Sequence, residues 1–335
     1  MIPASEAIEE IRKGELETRS ARRPLAAVAE SSAPAVDETL YLTGRPKLKN
    51  FLRFVRHHAV KPDHEDTLIE EWQKAKGHIA QLEKEEAGCA DRPTITKIDA
   101  NSKYQPLLVE FLKDPLVRHG FNTVPTEVAM VELDSLVVYQ KHIDLTYVSQ
   151  LRWRIGPNPT DEEVFRACLP FDHPHPPAKW SRLDDDSYIF VSASNDLRFL
   201  GALPLRPDHV QGYPHPGALL GVVGLAVGFG SNFLNAVYAE GRLILHNGSH
   251  RAYALRELGL THVPCVIQHV STRDELGVVG PTDVRRDPNY FLKSPRPPML
   301  KDYFNPKLRK VMPAHRVQRQ VKVQFTTSEH YVPAL

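Results

Sequence analysis

At 335 residues, with 41% hydrophobic and 25% charged side chains, the chain has room for one elaborated globular domain or two ordinary ones. Its 42 basic residues balance 41 acidic ones, so no global field draws in nucleic acid and such binding would need a local patch. Cys89, Cys168 and Cys265 are too far apart for a disulfide framework or a cysteine-built metal site, and no run reaches the roughly 18 apolar residues of a membrane span.

The acidic opening at Glu6, Glu9 and Glu10 fits neither a secretory signal nor a transit peptide, so the expected location is cytoplasmic. Residues 1–38 mix charge with Ala, Ser and Pro and read as a flexible leader with a short helix at Glu6–Glu17. Residues 39–122 read as a helical N-terminal region. Leu48, Phe51, Leu52 and Val55 share one helix face, and a second helix from Asp63 spaces Leu68, Ile69, Trp72, Ile79 and Leu82 helically. The cations Lys47, Lys49, Arg53 and Arg56, with His57 and His58, read as a solvated face, with contact to nucleic acid as the alternative. A further helix is predicted from Tyr104 to Arg118, closed by Gly120.

From Val128 the pattern is mixed. Alternation predicts a strand over Val128–Val138, and helices follow over Leu145–Trp153 and Asp161–Cys168. The Pro170–Pro177 loop holds Asp172, His173 and His175. Imidazoles with a carboxylate suit a metal, but two histidines in a proline-stiffened loop fix no third ligand, so no metal site is assigned there or at His209 and His215. Asp184, Asp185 and Asp186 read as a solvated turn before strands at Tyr188–Ser192 and Arg198–Gly201. The glycine-spaced Gly217–Gly230 lacks the Gly-Lys-Ser/Thr ending of a phosphate loop and reads as a packed helix with small residues on one side.

The most informative stretch is 243–258. An apolar strand, Leu243-Ile244-Leu245-His246-Asn247, runs into Gly248-Ser249-His250-Arg251 and then a helix marked by Ala252, Ala254, Leu255 and Leu258. A strand that stops at a glycine and restarts as a helix leaves backbone N–H groups facing outward at the positive end of the helix dipole. Gly248 allows a positive φ, Ser249 is an expected N-cap, and His250 and Arg251 add donors suited to phosphate oxygens. Gly259 closes the helix, and Val263–Ile267 reads as the next strand, with Cys265 a core residue.

This strand, Gly-x-x-Arg turn, helix and Val-Pro strand resembles the ParB/sulfiredoxin superfamily, in which sulfiredoxins carry Gly-Cys-His-Arg and partition proteins Gly-Glu-Arg-Arg. A weaker echo at Val128–Tyr147 resembles the family's opening strand and its "YQPR" segment, with Lys141 and His142 in place of Pro and Arg. The resemblance implies an α+β fold: a ParB/sulfiredoxin-like mixed sheet with flanking helices, spanning 123–275 with a large insertion at about 155–230 and preceded by an N-terminal helical extension.

It also implies a nucleotide, ATP or CTP with Mg²⁺, bound by Asn247, Gly248, Ser249, His250 and Arg251, with Gln140 and Lys141 as further contacts. Ser249 stands where sulfiredoxins have their nucleophilic cysteine and partition proteins their glutamate, so neither chemistry carries over. What remains is a phosphate grip. For phosphoryl transfer or nucleotide hydrolysis a carboxylate must orient the attacking hydroxyl or water, and Glu132, Asp134 and Glu240 are the candidates, with His250 as acid or neutral donor. The bland alternative makes the turn an N-cap with Arg251 paired to Glu240.

The last 60 residues, 276–335, read as a proline-rich, basic extension. Prolines at 288, 295, 297, 298, 306 and 313 leave no pair of amphipathic helices to read a major groove, which weakens a partition-protein reading. Lys307, Arg309, Lys310, Arg316, Arg319 and Lys322 keep contact with DNA phosphates open, and Val317–Phe325 alternates as a strand. The competing functions are therefore a nucleotide-dependent enzyme with a small-molecule acceptor and a DNA-contacting or nuclease-like binding module.

Overall fold

In the computed structural model, residues 35–99, 102–173, 175–194, 196–210 and 217–333 are described; the expected leader helix at Glu6–Glu17 and His215 lie outside them. The first described element already departs from expectation. Residues 36–38 are not leader but the start of β1 (Val36–Leu42), the central strand of a sheet in which β12 (Arg309–His315) and β4 (His142–Asp144) flank it, both antiparallel. Leu40 and Leu42 turn into the core, as the two-residue period of a strand requires.

The helical residues before 122 are not a separate extension. α1 (Leu48–His58) and α2 (Glu65–Glu85) form as their periodicity predicts, and Phe51, Val55 and Leu68 pack with Tyr41 and Met312. The helix predicted over Tyr104–Arg118 is two: α3 (Gln105–Phe111) and α4 (Pro115–Gly120). Pro115 cannot continue a helix, and Asp114 restarts the chain by accepting the Leu116 N–H at 2.8 Å.

The main sheet runs β10 (Arg242–Asn247), β9 (Asn235–Ala239), β11 (His262–Val270), β3 (Thr126–Glu132) and β2 (Ile95–Lys97). Only the β9–β11 pairing is parallel, so the sheet is mixed and the chain is α+β, as expected. The predicted strand 128–138 stops at Glu132. Leu133–Ser135 coils into a 3₁₀ turn in which the Ser135 hydroxyl donates to the Glu132 carbonyl. Ala129, Val131, Val263, Cys265 and Ile267 are buried, each large apolar side chain contributing about 1.5–3 kcal/mol. Against the same core pack α5 (Leu145–Ile155), capped by Asp144, and α6 (Asp161–Cys168), opened by a Thr160–Glu163 capping box.

Two compact units result. The larger takes in 35–173 and 231–316, and the smaller 175–230 and 317–333. The insertion thus begins near 174 and not 155, because Val164, Phe165, Cys168 and Leu169 belong to the main core. Likewise only the part of the C-terminal extension beyond Arg316 leaves the larger unit.

In the smaller unit, β5 (Ala178–Asp184) and β6 (Ser187–Ser192) are joined by a turn at Asp185 and Asp186, with Asp184 the last residue of β5, and β13 (Arg319–Gln324) pairs with β6. The helix expected in Gly217–Gly230 is instead a strand, β8 (Val222–Phe229), paired with β7 (Leu197–Leu205). Glycines at 221, 224 and 228 cost a helix about 1 kcal/mol each, whereas Val222, Val223, Val227 and Phe229 favour a strand.

Candidate phosphate-binding turn

β10 ends at Asn247, whose amide clamps the following turn. Its Oδ1 accepts the Gly248 N–H at 2.8 Å and its Nδ2 donates to the Ser231 carbonyl at 2.8 Å. Gly248 has φ +93° and ψ +24°, and a Cβ there would lie 2.6 Å from Cδ1 of buried Leu234. Conformation and space both demand glycine.

Gly248, not Ser249, is the N-cap of α7 (Ser249–Glu257), and no side chain caps it. The first intrahelical bond runs from the Ala252 N–H to the Gly248 carbonyl at 2.8 Å. The N–H groups of Ser249, His250 and Arg251 therefore have no acceptor within their own helix, at its positive pole.

Arg251 is turned to the protein. One guanidinium nitrogen donates to the carbonyls of Cys168 (3.0 Å) and Asn232 (3.1 Å), the other to Asn232 Oδ1 at 2.5 Å. Cys168 ends α6, so Arg251 satisfies one of that helix's terminal carbonyls. All three acceptors are neutral. Burial lowers the Arg251 pKa, yet guanidinium remains charged, and its positive charge is balanced by no carboxylate in these bonds.

His250 Nε2 accepts the Asp144 backbone N–H at 3.0 Å, and its ring meets Tyr147 edge-on with centroids 5.6 Å apart. A ring nitrogen that accepts an N–H carries no proton, so His250 is the neutral tautomer protonated on Nδ1. Burial, with His142 adding repulsion, pushes its pKa down to about 4. His142 is also pushed to about 4, by burial first and then by His58 and Lys141. Phe54 contacts both His58 (4.5 Å) and His142 (5.3 Å), which completes an imidazole cluster from α1 to the turn.

Of the other expected contacts, Gln140 and Lys141 lie close in the chain but point elsewhere. Tyr139 donates to the His246 carbonyl beside the turn, whereas Gln140 Nε2 donates to the His142 carbonyl and Lys141 pairs with Asp283 at 3.1 Å. The three candidate carboxylates are not brought to the turn. Asp134 binds Arg256 through two bonds of 2.8 and 3.0 Å, about 10 Å along α7 from Ser249. Glu132 shares with Asp134 a cavity of about 230 Å³ also lined by Arg256 and Thr261. Glu240 sits at the β9–β10 hairpin, about 20 Å of strand from Gly248, and pairs with Arg273 and with Lys293 at 2.6 Å. Arg251 therefore has no pairing with Glu240.

Asp144 meets the turn through its backbone N–H, bonded to His250, while its carboxylate serves α5. Its Oδ1 caps α5 through the Tyr147 N–H at 2.9 Å, and burial raises its pKa. Its helix-capping position ahead of Leu145 was the available sequence signal. In the proline-rich loop, His173 bonds Asp114 at 2.6 Å. Among the described residues, no helix is long and apolar enough to cross a membrane. Comparisons with protein-family models, with curated proteins and with solved structures return no match.

Proposed function

We propose that the chain is a ParB/sulfiredoxin-like nucleotide-binding protein whose Gly248–Arg251 turn grips the phosphates of ATP or CTP accompanied by Mg²⁺, in preparation for phosphoryl transfer or nucleotide hydrolysis. One observation carries the reading: an uncapped helix start and a guanidinium bonded only to neutral acceptors lie within four consecutive residues. Three N–H dipoles and one unbalanced positive charge favour an anion at that place.

The roles differ from those expected of the motif alone. The backbone N–H groups supply the direct contacts, Arg251 acts through its field while holding Cys168 and Asn232, and His250 holds Asp144 in register. Asp144, tied to the turn through its backbone N–H, is assigned the role of orienting an attacking hydroxyl or water, in place of Glu132, Asp134 and Glu240, whose positions lie at other ends of the sheet and helix.

Calorimetric titration with Mg·ATP and Mg·CTP tests this directly, with Arg251→Ala and Asp144→Asn compared by thermal melting to separate binding from folding. Saturable binding of one nucleotide is expected, weakened about tenfold or more in a still-folded Arg251→Ala protein. A flat titration with both nucleotides sinks the reading. Asp144→Asn should retain binding and lose turnover of the nucleotide.

A further inference from the structure

A second concavity lies in the larger unit, on elements that the turn does not use. It has a volume of about 350 Å³ and is walled by α2 on one side, through Glu71, Lys74 and His78, and by residues 306–310 on the other. Thr43 forms its third side, and the chain is pinned there. The Thr43 N–H donates to the Leu308 carbonyl at 2.8 Å, and Gly44 (φ +74°) presses so closely on α2 that a Cβ would lie 2.7 Å from the backbone nitrogen of Lys76.

The side chains of this concavity are fixed from outside it. Asn305 Oδ1 accepts the Lys307 N–H at 3.0 Å while its Nδ2 meets His78 Nε2 at 3.1 Å, tying the 305–308 turn to α2. Since an amide nitrogen can only donate, His78 Nε2 accepts, and a neutral His78 carries its proton on Nδ1 as a donor.

Four cations line the concavity, Lys74, Lys307, Arg309 and Lys310, against the single carboxylate Glu71. Lys310 is already matched by Glu71 (2.8 Å) and Asp63 (2.7 Å), and Lys74 has only an exposed, loose contact with Glu70 at 3.5 Å. Arg309 spends its donors on the Tyr303 carbonyl and the Tyr253 phenol, both neutral. Positive charge is thus in excess at a concave, donor-rich surface, where attraction for an anion is strongest.

The lining also limits what that anion is. A base-bearing ligand or a single strand of nucleic acid is normally held by stacking on aromatic faces, and no Phe, Tyr or Trp is among the residues that line this concavity. The volume is at the lower end of small-ligand sites. We infer that this concavity is a binding site for a small phosphorylated molecule without an aromatic group, a phosphate monoester or diphosphate, separate from the nucleotide turn.

Inorganic pyrophosphate is the probe. Titration of the full chain should give saturable binding that falls about tenfold or more in Lys74→Ala/Lys307→Ala, two exposed positions whose loss leaves the melting temperature unchanged. Absence of saturable binding overturns the proposal. Binding that the double variant leaves intact also overturns it, because the pyrophosphate then sits elsewhere, the turn included. A duplex DNA that displaces pyrophosphate, and whose own steeply salt-dependent binding is abolished by the same double variant, overturns it in favour of a nucleic-acid surface.

Discussion

The two ends of α7 carry the same kind of residue in opposite states. At the far end Arg256 is gripped by both Asp134 oxygens and lies over the Phe304 ring, 4.0 Å from its centroid. Its charge is neutralised where it stands. At the near end Arg251 is held as firmly, but by two carbonyls and an amide oxygen, which orient a guanidinium without cancelling it. Burial and hydrogen bonding alone do not distinguish these two arginines. The charge of the acceptors does, and by that measure only the glycine end of the helix retains positive potential for a ligand.

The largest test of that contrast is acid. His142 and His250 protonate near 6.5 in an unfolded chain but resist protonation to about 4 in the folded one. Their contribution is therefore complete above pH 6.5 and lost progressively between 6.5 and 4, about 3 kcal/mol for each ring as an upper figure. Denaturant unfolding across that range should show stability falling with pH, and His250→Asn should flatten the slope. An unchanged midpoint between pH 7 and 4.5 would remove the imidazole cluster from the account.

Gly248→Ala comes next. A positive φ together with a 2.6 Å approach to Leu234 should cost about 2–3 kcal/mol and abolish nucleotide binding, read by chemical denaturation and calorimetry. At the opposite end Asp134→Ala frees Arg256, a partly exposed pair worth about 1 kcal/mol, and nucleotide affinity should not fall. Equal loss of affinity in both variants would erase the distinction between the two ends. The smallest effect is expected for Thr160→Ala, which removes the α6 cap for about 1 kcal/mol and, through Cys168, reaches Arg251 only indirectly.

Much of this was legible in the residues because it is local. The strand, glycine and helix of 243–258, the α2 periodicity, the acidic β5–β6 turn and the β13 alternation each need only a short window. Local pattern is ambiguous at two places, where Pro115 and Asp114 split one helix and where glycines every three or four residues imitate the small face of a helix in what is β8. What lay beyond the sequence was partnership across distance. Arg251 finds Cys168 83 residues away, His250 finds Asp144 106 away, and Asp134 finds Arg256 122 away. Charge type alone groups Glu132, Asp134 and Glu240 with the turn, and only the pairing register separates them.

The excursion from 174 to 230 has a bearing on how the chain is wired. The His173 ring packs edge-on against Phe233 with centroids 5.5 Å apart, so the backbone departs and returns at neighbouring points. A detour with adjacent ends is topologically removable: a linker of a few residues closes the gap, and shortening the loop relieves about 2 kcal/mol of closure entropy. Since β13 pairs with β6 inside that detour, the stretch after Arg316 would have to leave with it, making the two segments a single transplantable cassette.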